Sequence, residues 1–244
     1  MPGGLLLPGV FFGGNMKLSN RLYACAGLVR PGSHAADIGT DHGYLAIYLI
    51  SNGICESVVA ADLRPMPLQA AKNNAQGLSD RITFCLSDGL RSVPLEGIDT
   101  VICAGMGGDT IQSILQGTPD IWRPGVQFIL QPQAAVPELR GFLSEHGFKI
   151  AQEVFAQDGK FIYTVMEVYY GDGAPIPPER RYIPQGVKDR SDPLYLAYMA
   201  RICSGLEKTV NGLRCAAQAD PKRLTYYTAA LNAVKEEDAN EDRT

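Results

Sequence analysis

Several things are scarce in this chain. Histidine occurs three times (His34, His42, His146), tryptophan once, and none of the six cysteines forms a C-x-x-C pair. That scarcity excludes a histidine-rich or ribbon-type metal centre, and no metal is expected. Cys85 and Cys103 fall inside apolar strand patterns. With Cys25, Cys55, Cys203 and Cys215 they read as buried, reduced thiols of a cytoplasmic protein, not as disulfides. No apolar run reaches the about 20 residues that a membrane span needs, so no membrane partner is expected. Positive charge is not in surplus either: the formal net charge is −4. This excludes a generally basic nucleic-acid binder and leaves room for a local basic patch. Residues 1–15 contain no charged side chain at all. They lack the basic start of a signal peptide and read as a leader or a floppy arm, with Met16 as the natural first residue.

What the chain does have is apolar content, 45% of its 244 residues, enough for one large domain and a small appendage. The rest is organised around residues 34–44, HAADIGTDHGY. Ala35 to Ile38 suit a buried central strand. Gly39 and Gly43 allow a sharp turn and a close ligand approach. Leu45, Ile47, Tyr48, Leu49 and Ile50 continue as the apolar side of a helix. A strand entering a helix through such a turn is a mononucleotide-binding unit. The spacing is not that of the dinucleotide fingerprint, however, and Asp41 sits inside the turn with Asp37 and Thr40 beside it. A carboxylate there repels a pyrophosphate. It suits a cationic or zwitterionic ligand such as S-adenosylmethionine, which carries a sulfonium, an ammonium and no phosphate. A tight strand-to-helix connection with no ligand is the alternative.

Further units follow in order. Residues 17–28 read as a helix with Ser19 as N-cap, and Lys17 and Arg21 make its start basic. Residues 57–62 form a second strand ending in Asp62, at the distance expected for a ribose-binding acid, with Leu63 next to it; an N-cap for the helix over 67–77 is the other reading. Residues 81–86 form a third strand, after which Asp88 and Gly89 either flank an adenine ring or make a plain turn. A fourth strand, 99–104, runs into Gly105-Met106-Gly107-Gly108. Ala104, Gly105 and Met106 are placed to meet a ligand at the strand's exit, Met106 packing on a flat ring or on the core. A fifth strand, 127–131, carries Gln131 and Gln133 around a proline, where amides read a nucleobase edge or simply face water. Residues 148–155 and 161–169 alternate as a hairpin. Five parallel units closed by an antiparallel pair give an α/β, Rossmann-like, seven-stranded class I methyltransferase sheet, over residues 16–171. Residues 172–244 read as a linker rich in proline, with Arg180 and Arg181, and then a helical hairpin or coiled coil. Its helices are expected over 193–219 and 221–235, with a frayed acidic tail from Glu236. The excess of basic residues between Arg180 and Arg223 suits an RNA backbone, or only a solvated packing face.

Four stretches taken together carry a resemblance: KLSNRL (17–22), ADIGTDHGYL (36–45), AGMGG (104–108) and ILQPQ (129–133). The chain resembles the bacterial tRNA (adenine-22-N1)-methyltransferases, the TrmK family, well over residues 16–170 and as architecture only beyond. The resemblance implies S-adenosylmethionine as donor, tRNA as partner, and methylation of adenine N1 in the D-arm. Relatives often carry another residue at the position of Gln133. Adenine N1 has an in-plane lone pair, so no strong base is needed and positioning dominates. The product ring is cationic, which nominates Asp41 as the stabilising carboxylate, with His42 and Tyr44 orienting it or stacking on the base. N1 is a pairing-edge atom, so the base must leave its stack. Cofactor contacts are expected from Asp37, Gly39, Thr40, Gly43, Asp62, Leu63, Asp88, Gly89, Ala104, Gly105 and Met106. Substrate contacts are expected from Lys17, Arg21, Gln131, Gln133, Arg180 and Arg181. A methyltransferase for another RNA position or a small molecule, an NAD-dependent oxidoreductase and a non-catalytic scaffold are the competing readings. Oligomeric state stays open.

Overall fold

The computed structural model describes residues 18–216 and 220–241. Residues 1–15, read as a leader or arm, and Lys17 lie outside the described residues.

Short apolar segments rich in valine, isoleucine and alanine build the strands, as buried parallel strands require. Their order of appearance is α1 (Asn20–Leu28), β1 (Ser33–Ile38), α2 (Tyr44–Ser51), β2 (Cys55–Asp62), α3 (Pro65–Asn74), β3 (Ile82–Leu86), β4 (Thr100–Gly107), α4 (Gly108–Gln116), β5 (Gln127–Ala134), α5 (Val136–Glu145), β6 (Phe148–Asp158), β7 (Phe161–Tyr170), α6 (Pro193–Cys215) and α7 (Pro221–Glu241). The seven strands form one sheet in the order β3-β2-β1-β4-β5-β7-β6. β1 to β5 are parallel, and β7 pairs antiparallel with both β5 and β6. This is the class I methyltransferase arrangement expected from the strand count and the closing hairpin.

Alternation sends successive side chains to opposite faces. Ala36, Val101, Cys103, Phe128 and Leu130 pack with Ile111 and Leu115 of α4 and Leu139 and Phe142 of α5. Ala35, Ile102 and Ile129 pack on the other face with Cys25 of α1 and Leu45, Leu49 and Ile50 of α2. A third cluster joins α6 and α7 through Tyr195, Tyr198, Leu206, Val210, Leu231 and Val234, with Phe155 and Ile162 from the sheet. Lys235 on α7 pairs with Glu207 on α6 at 2.7 Å at the edge of that cluster. Asp220 caps α7 by accepting from the Lys222 N–H, and Pro221 opens the helix.

Four details differ from the sequence reading. Ser19 stands at the N-cap position of α1 but makes no side-chain cap. The cap comes from the distant hairpin tip instead, where Asp158 accepts from the N–H groups of Asn20 (2.9 Å) and Arg21 (3.2 Å). Second, the acidic tail is not frayed from Glu236: α7 continues to Glu241, and buried Glu237 accepts from Arg180 (2.8 Å) and pairs with Arg190. Third, β4 runs through the glycines to Gly107, because Met106 and Gly107 keep pairing with Pro132 and Ala134 across two register shifts. Fourth, not every cysteine is buried: Cys85 and Cys203 are half-buried and Cys215 is exposed at the end of α6.

One buried ion pair ties the appendage to the sheet. Arg140 on α5 and Glu153 on β6 are fully buried and meet at 2.8 and 2.9 Å. Glu153 also accepts from the Thr164 hydroxyl and the Gln185 N–H, and Arg140 donates to the Arg181 carbonyl. The Glu153 charge keeps the Arg140 guanidinium ionised despite burial.

Candidate active site

A cavity of about 620 Å³ opens where β1, β2, β3 and β4 end. Ligands of open α/β sheets bind outside those strand ends. The turn after β1 builds its floor. The N–H groups of Gly39 and Thr40 both donate to the Ala61 carbonyl, at 2.8 and 2.9 Å. Gly39 and Gly43 have φ of +74° and +75°, which a side chain would strain. A Cβ on Gly43 would stand 2.9 Å from the Ala71 Cβ of α3, and one on Gly39 would strike the Met106 methyl. Asp41 is also left-handed, at φ +53°. Asparagine and aspartate tolerate that region best, and the turn is held there by its neighbours: the Asp41 N–H donates to Asp62 Oδ2 (3.1 Å).

Asp62 therefore does structural work as well as facing the cavity. Its Oδ1 accepts from the Arg64 N–H (2.9 Å), an aspartate turn rather than a helix cap, since Arg64 itself is the N-cap residue of α3. A carboxylate has about four lone-pair sites, so two backbone bonds leave acceptor capacity for vicinal hydroxyls. Leu63, 64% exposed, follows it on the cavity wall as an apolar platform.

Asp37 lies at the cavity's back, 3% exposed, with its Oδ2 accepting from the Thr40 hydroxyl at 2.7 Å. Burial raises its pKa from 3.8 to about 6; the Thr40 hydrogen bond opposes the rise and the charge of Asp62 adds to it. Asp41 extends to the mouth, near His42 Nε2 (3.9 Å) and Arg64 (4.0 Å). His42 and Tyr44 stack on each other, ring centroids 5.5 Å apart and planes 19° apart, both lining the cavity.

On the other wall, Asp88 pairs with Arg91 at 2.6 Å on the surface, and Gly89 is held at φ +61° against Ile114. Ala104, Gly105 and Met106 line the wall below. Met106 packs against the sheet core, with its methyl over Gly39, and also lines the cavity.

The cofactor residues named from sequence all line this cavity except Gly43, which supports it through Ala71. The substrate residues divide. Arg21 lines the cavity, over Gly105. Gln131 is buried behind it: its Oε1 accepts from the Gly105 N–H (3.0 Å) and Arg21 (3.2 Å), and its Nε2 donates to the Pro132 carbonyl. Gln133 is exposed and lies off the cavity. Arg180 and Arg181 lie in the linker, engaged with Glu237 and Glu145. Sequence reasoning missed Arg64, Thr110 and Ile114, which also line the site. Arg64 was findable as the residue two beyond a strand-end acid; Thr110 and Ile114 carry no signal without the packing of α4.

The residues fit S-adenosylmethionine. Two glycine turns leave room that a Cβ would fill, and four carboxylates, Asp37, Asp41, Asp62 and Asp88, line the space that a ligand with two positive charges would take. Among the described residues no group of three or more histidine, cysteine or carboxylate side chains is placed to hold a metal, and no helix is long and apolar enough to cross a membrane.

Comparison with known proteins agrees. A family model described as a methyltransferase domain matches residues 18–166. The chain is 31% identical over 159 residues to the tRNA (adenine(22)-N(1))-methyltransferase of Bacillus subtilis, an alignment spanning 64% of this chain and 67% of that protein. TrmK of M. capricolum, solved with S-adenosyl-homocysteine, has a TM-score of 0.74 at 26% identity, covering 90% of this chain and 97% of that one. The B. subtilis m1A22 tRNA methyltransferase TrmK has a TM-score of 0.81 at 24% identity, covering 91% and 99%, a likeness of fold.

Proposed function

The chain belongs to the TrmK family of class I methyltransferases, and from that premise we propose that it transfers a methyl group from S-adenosylmethionine to N1 of adenine 22 in tRNA. The observation that carries the reading is the gathering of Asp37, Asp41 and Asp62 around one cavity at the ends of β1 and β2. A site with that charge rejects a pyrophosphate and accepts a sulfonium and an ammonium.

When bound, S-adenosylmethionine supplies an electrophilic methyl group on a positively charged sulfur. The protein's part is positioning and electrostatics. Asp62 is the group for the ribose hydroxyls, with Leu63 and Gly89 bounding the adenine. Asp41 stands at the mouth, where the acceptor ring becomes cationic as N1 gains the methyl. No proton has to be removed from N1 for that bond to form. His42 and Tyr44 offer a stacked aromatic pair to an extruded base. Exposed Lys208 and Arg214 on α6 and Lys222 and Arg223 on α7 are the bases for the RNA backbone. Arg180 and Arg181 support the linker by their pairs with Glu237 and Glu145.

The test is methylation of unmodified tRNA transcripts followed by mapping of the modified base. A product at adenine 22 N1 is expected. Methylation at another nucleotide, or only of small molecules, overturns the assignment. Asp41→Ala is expected to lose most turnover while tRNA binding survives; unchanged turnover removes Asp41 from the catalytic role.

A further inference from the structure

The cavity's wall at β4 holds polar groups that the reading above leaves unused. Arg21 crosses from α1 to lie over Gly105, so closely that a Cβ there would stand 2.9 Å from its Nη1. Nη1 donates to Gln131 Oε1, the same oxygen that takes the Gly105 N–H. On its other side, Nε is 3.8 Å from Asp158 Oδ2. The guanidinium carries five N–H donors, and the hydrogen bond just given uses one of them. Ser19 lines the same part of the cavity, and its buried hydroxyl has no partner among the described residues. Asp158 already takes the Asn20 and Arg21 N–H groups, so the start of α1 offers side chains, not those backbone donors, to a ligand.

This wall lies at the ends of β1 and β4, away from Asp62 and Asp88 on β2 and after β3. A donor with its ribose at Asp62 and its adenine toward Gly89 has its amino-acid end here. That end carries a cation and an anion together. Asp37 and Asp41 answer the cation. Arg21, with Ser19, is the group on this wall that answers the anion.

We propose that Arg21 binds the α-carboxylate of the methyl donor, and that Asp158, at the tip of the β6–β7 hairpin, is a positioning residue that holds Arg21 for that contact. The inference rests on the reading of this cavity as an S-adenosylmethionine site. It moves Arg21 from the RNA to the cofactor.

The experiment is calorimetric titration of the full chain with S-adenosylhomocysteine and with S-adenosyl-3-thiopropylamine, the same molecule without its carboxylate. Arg21→Gln is expected to weaken S-adenosylhomocysteine binding by about tenfold or more, the scale of a lost charge-assisted hydrogen bond. It is expected to leave the decarboxylated ligand within about twofold. Equal loss for both ligands means that Arg21 only supports the wall, and overturns the proposal. Unchanged S-adenosylhomocysteine affinity with a raised KM for tRNA also overturns it and returns Arg21 to the RNA. Failure of the unsubstituted protein to bind either ligand sinks the cofactor reading itself, a distinct result. For Asp158, Asp158→Ala is expected to shrink the preference for the carboxylated ligand, and Asp158→Asn, which keeps an acceptor for the α1 N–H groups, to restore most of it. A preference in Asp158→Ala equal to that of the unsubstituted protein removes the positioning role.

Discussion

Lowering the pH from 7 to 5 is expected to weaken S-adenosylhomocysteine binding about tenfold, through Asp37. In the free protein burial holds this carboxyl at about 6 against an ordinary 3.8. Around it stand the Thr40 hydroxyl, Asp62, and the thiols of Cys25 and Cys103, which burial lifts to about 12 and which stay neutral throughout this range. A bound ammonium favours the ionised carboxylate and pulls its pKa back down. Below about 6 binding must therefore expel a proton, and affinity falls by up to tenfold per pH unit. The same raised pKa has the opposite consequence for the free fold. Its contribution to stability is full below 3.8 and is lost as pH rises through about 6. Asp37→Asn is thus expected to bind the ligand worse at pH 7, lose the pH dependence, and unfold no more easily than the parent. Titration in two buffers of different ionisation enthalpy counts the released proton directly. A flat affinity between pH 5 and 7, or a slope that persists in Asp37→Asn, refutes the reasoning.

Three further outcomes are expected. Arg140→Met leaves Glu153 buried without its counter-ion and should cost about 3 to 5 kcal/mol in urea unfolding, while Arg140→Met with Glu153→Leu recovers much of it; a loss under about 1 kcal/mol for the single variant contradicts the buried-pair account. Gly43→Ala, at φ +75° and against Ala71, should cost about 1 to 3 kcal/mol and impair cofactor binding, whereas Gly27→Ala on α1, where nothing stands within 4 Å of the added Cβ, should be neutral or stabilising; thermal melts of both settle it. Replacing Lys208, Arg214, Lys222 and Arg223 with glutamine should weaken tRNA binding and flatten its salt dependence while S-adenosylhomocysteine binding holds; equal tRNA affinity denies the hairpin an RNA role.

The parallel core was legible in the chain because each strand is a short apolar run, closed by glycine after β1 and β4, by an acid at β2 and by a proline in β5, and the turn at Gly39–Gly43 fixes its own geometry. The walls at Asp62, Gly89 and Gly105 followed, since ligand sites sit at such strand ends. What escaped notice acts across distance. Asp158 falls in the gap between the two expected hairpin strands, yet it caps a helix 138 residues earlier. Arg140 lies on a helix and Glu153 on an edge strand, and nothing in either local sequence marks them as a buried pair. Glu237 looked like part of a solvated acidic tail until two linker arginines met it. Periodicity reports which face a side chain occupies, and it carries no information about which distant charge shares that face.

The reliance of α1 on the β6–β7 hairpin has a consequence for how the domain is made. A chain emerging from the ribosome produces this helix 138 residues before its cap, so the helix has to wait, unanchored, for the closing hairpin. Contacts that link the two ends of a domain are the slow ones to form. The Asn20–Asp158 contact spans 138 residues, so on refolding from urea α1 should gain protection against hydrogen exchange only once the hairpin has closed.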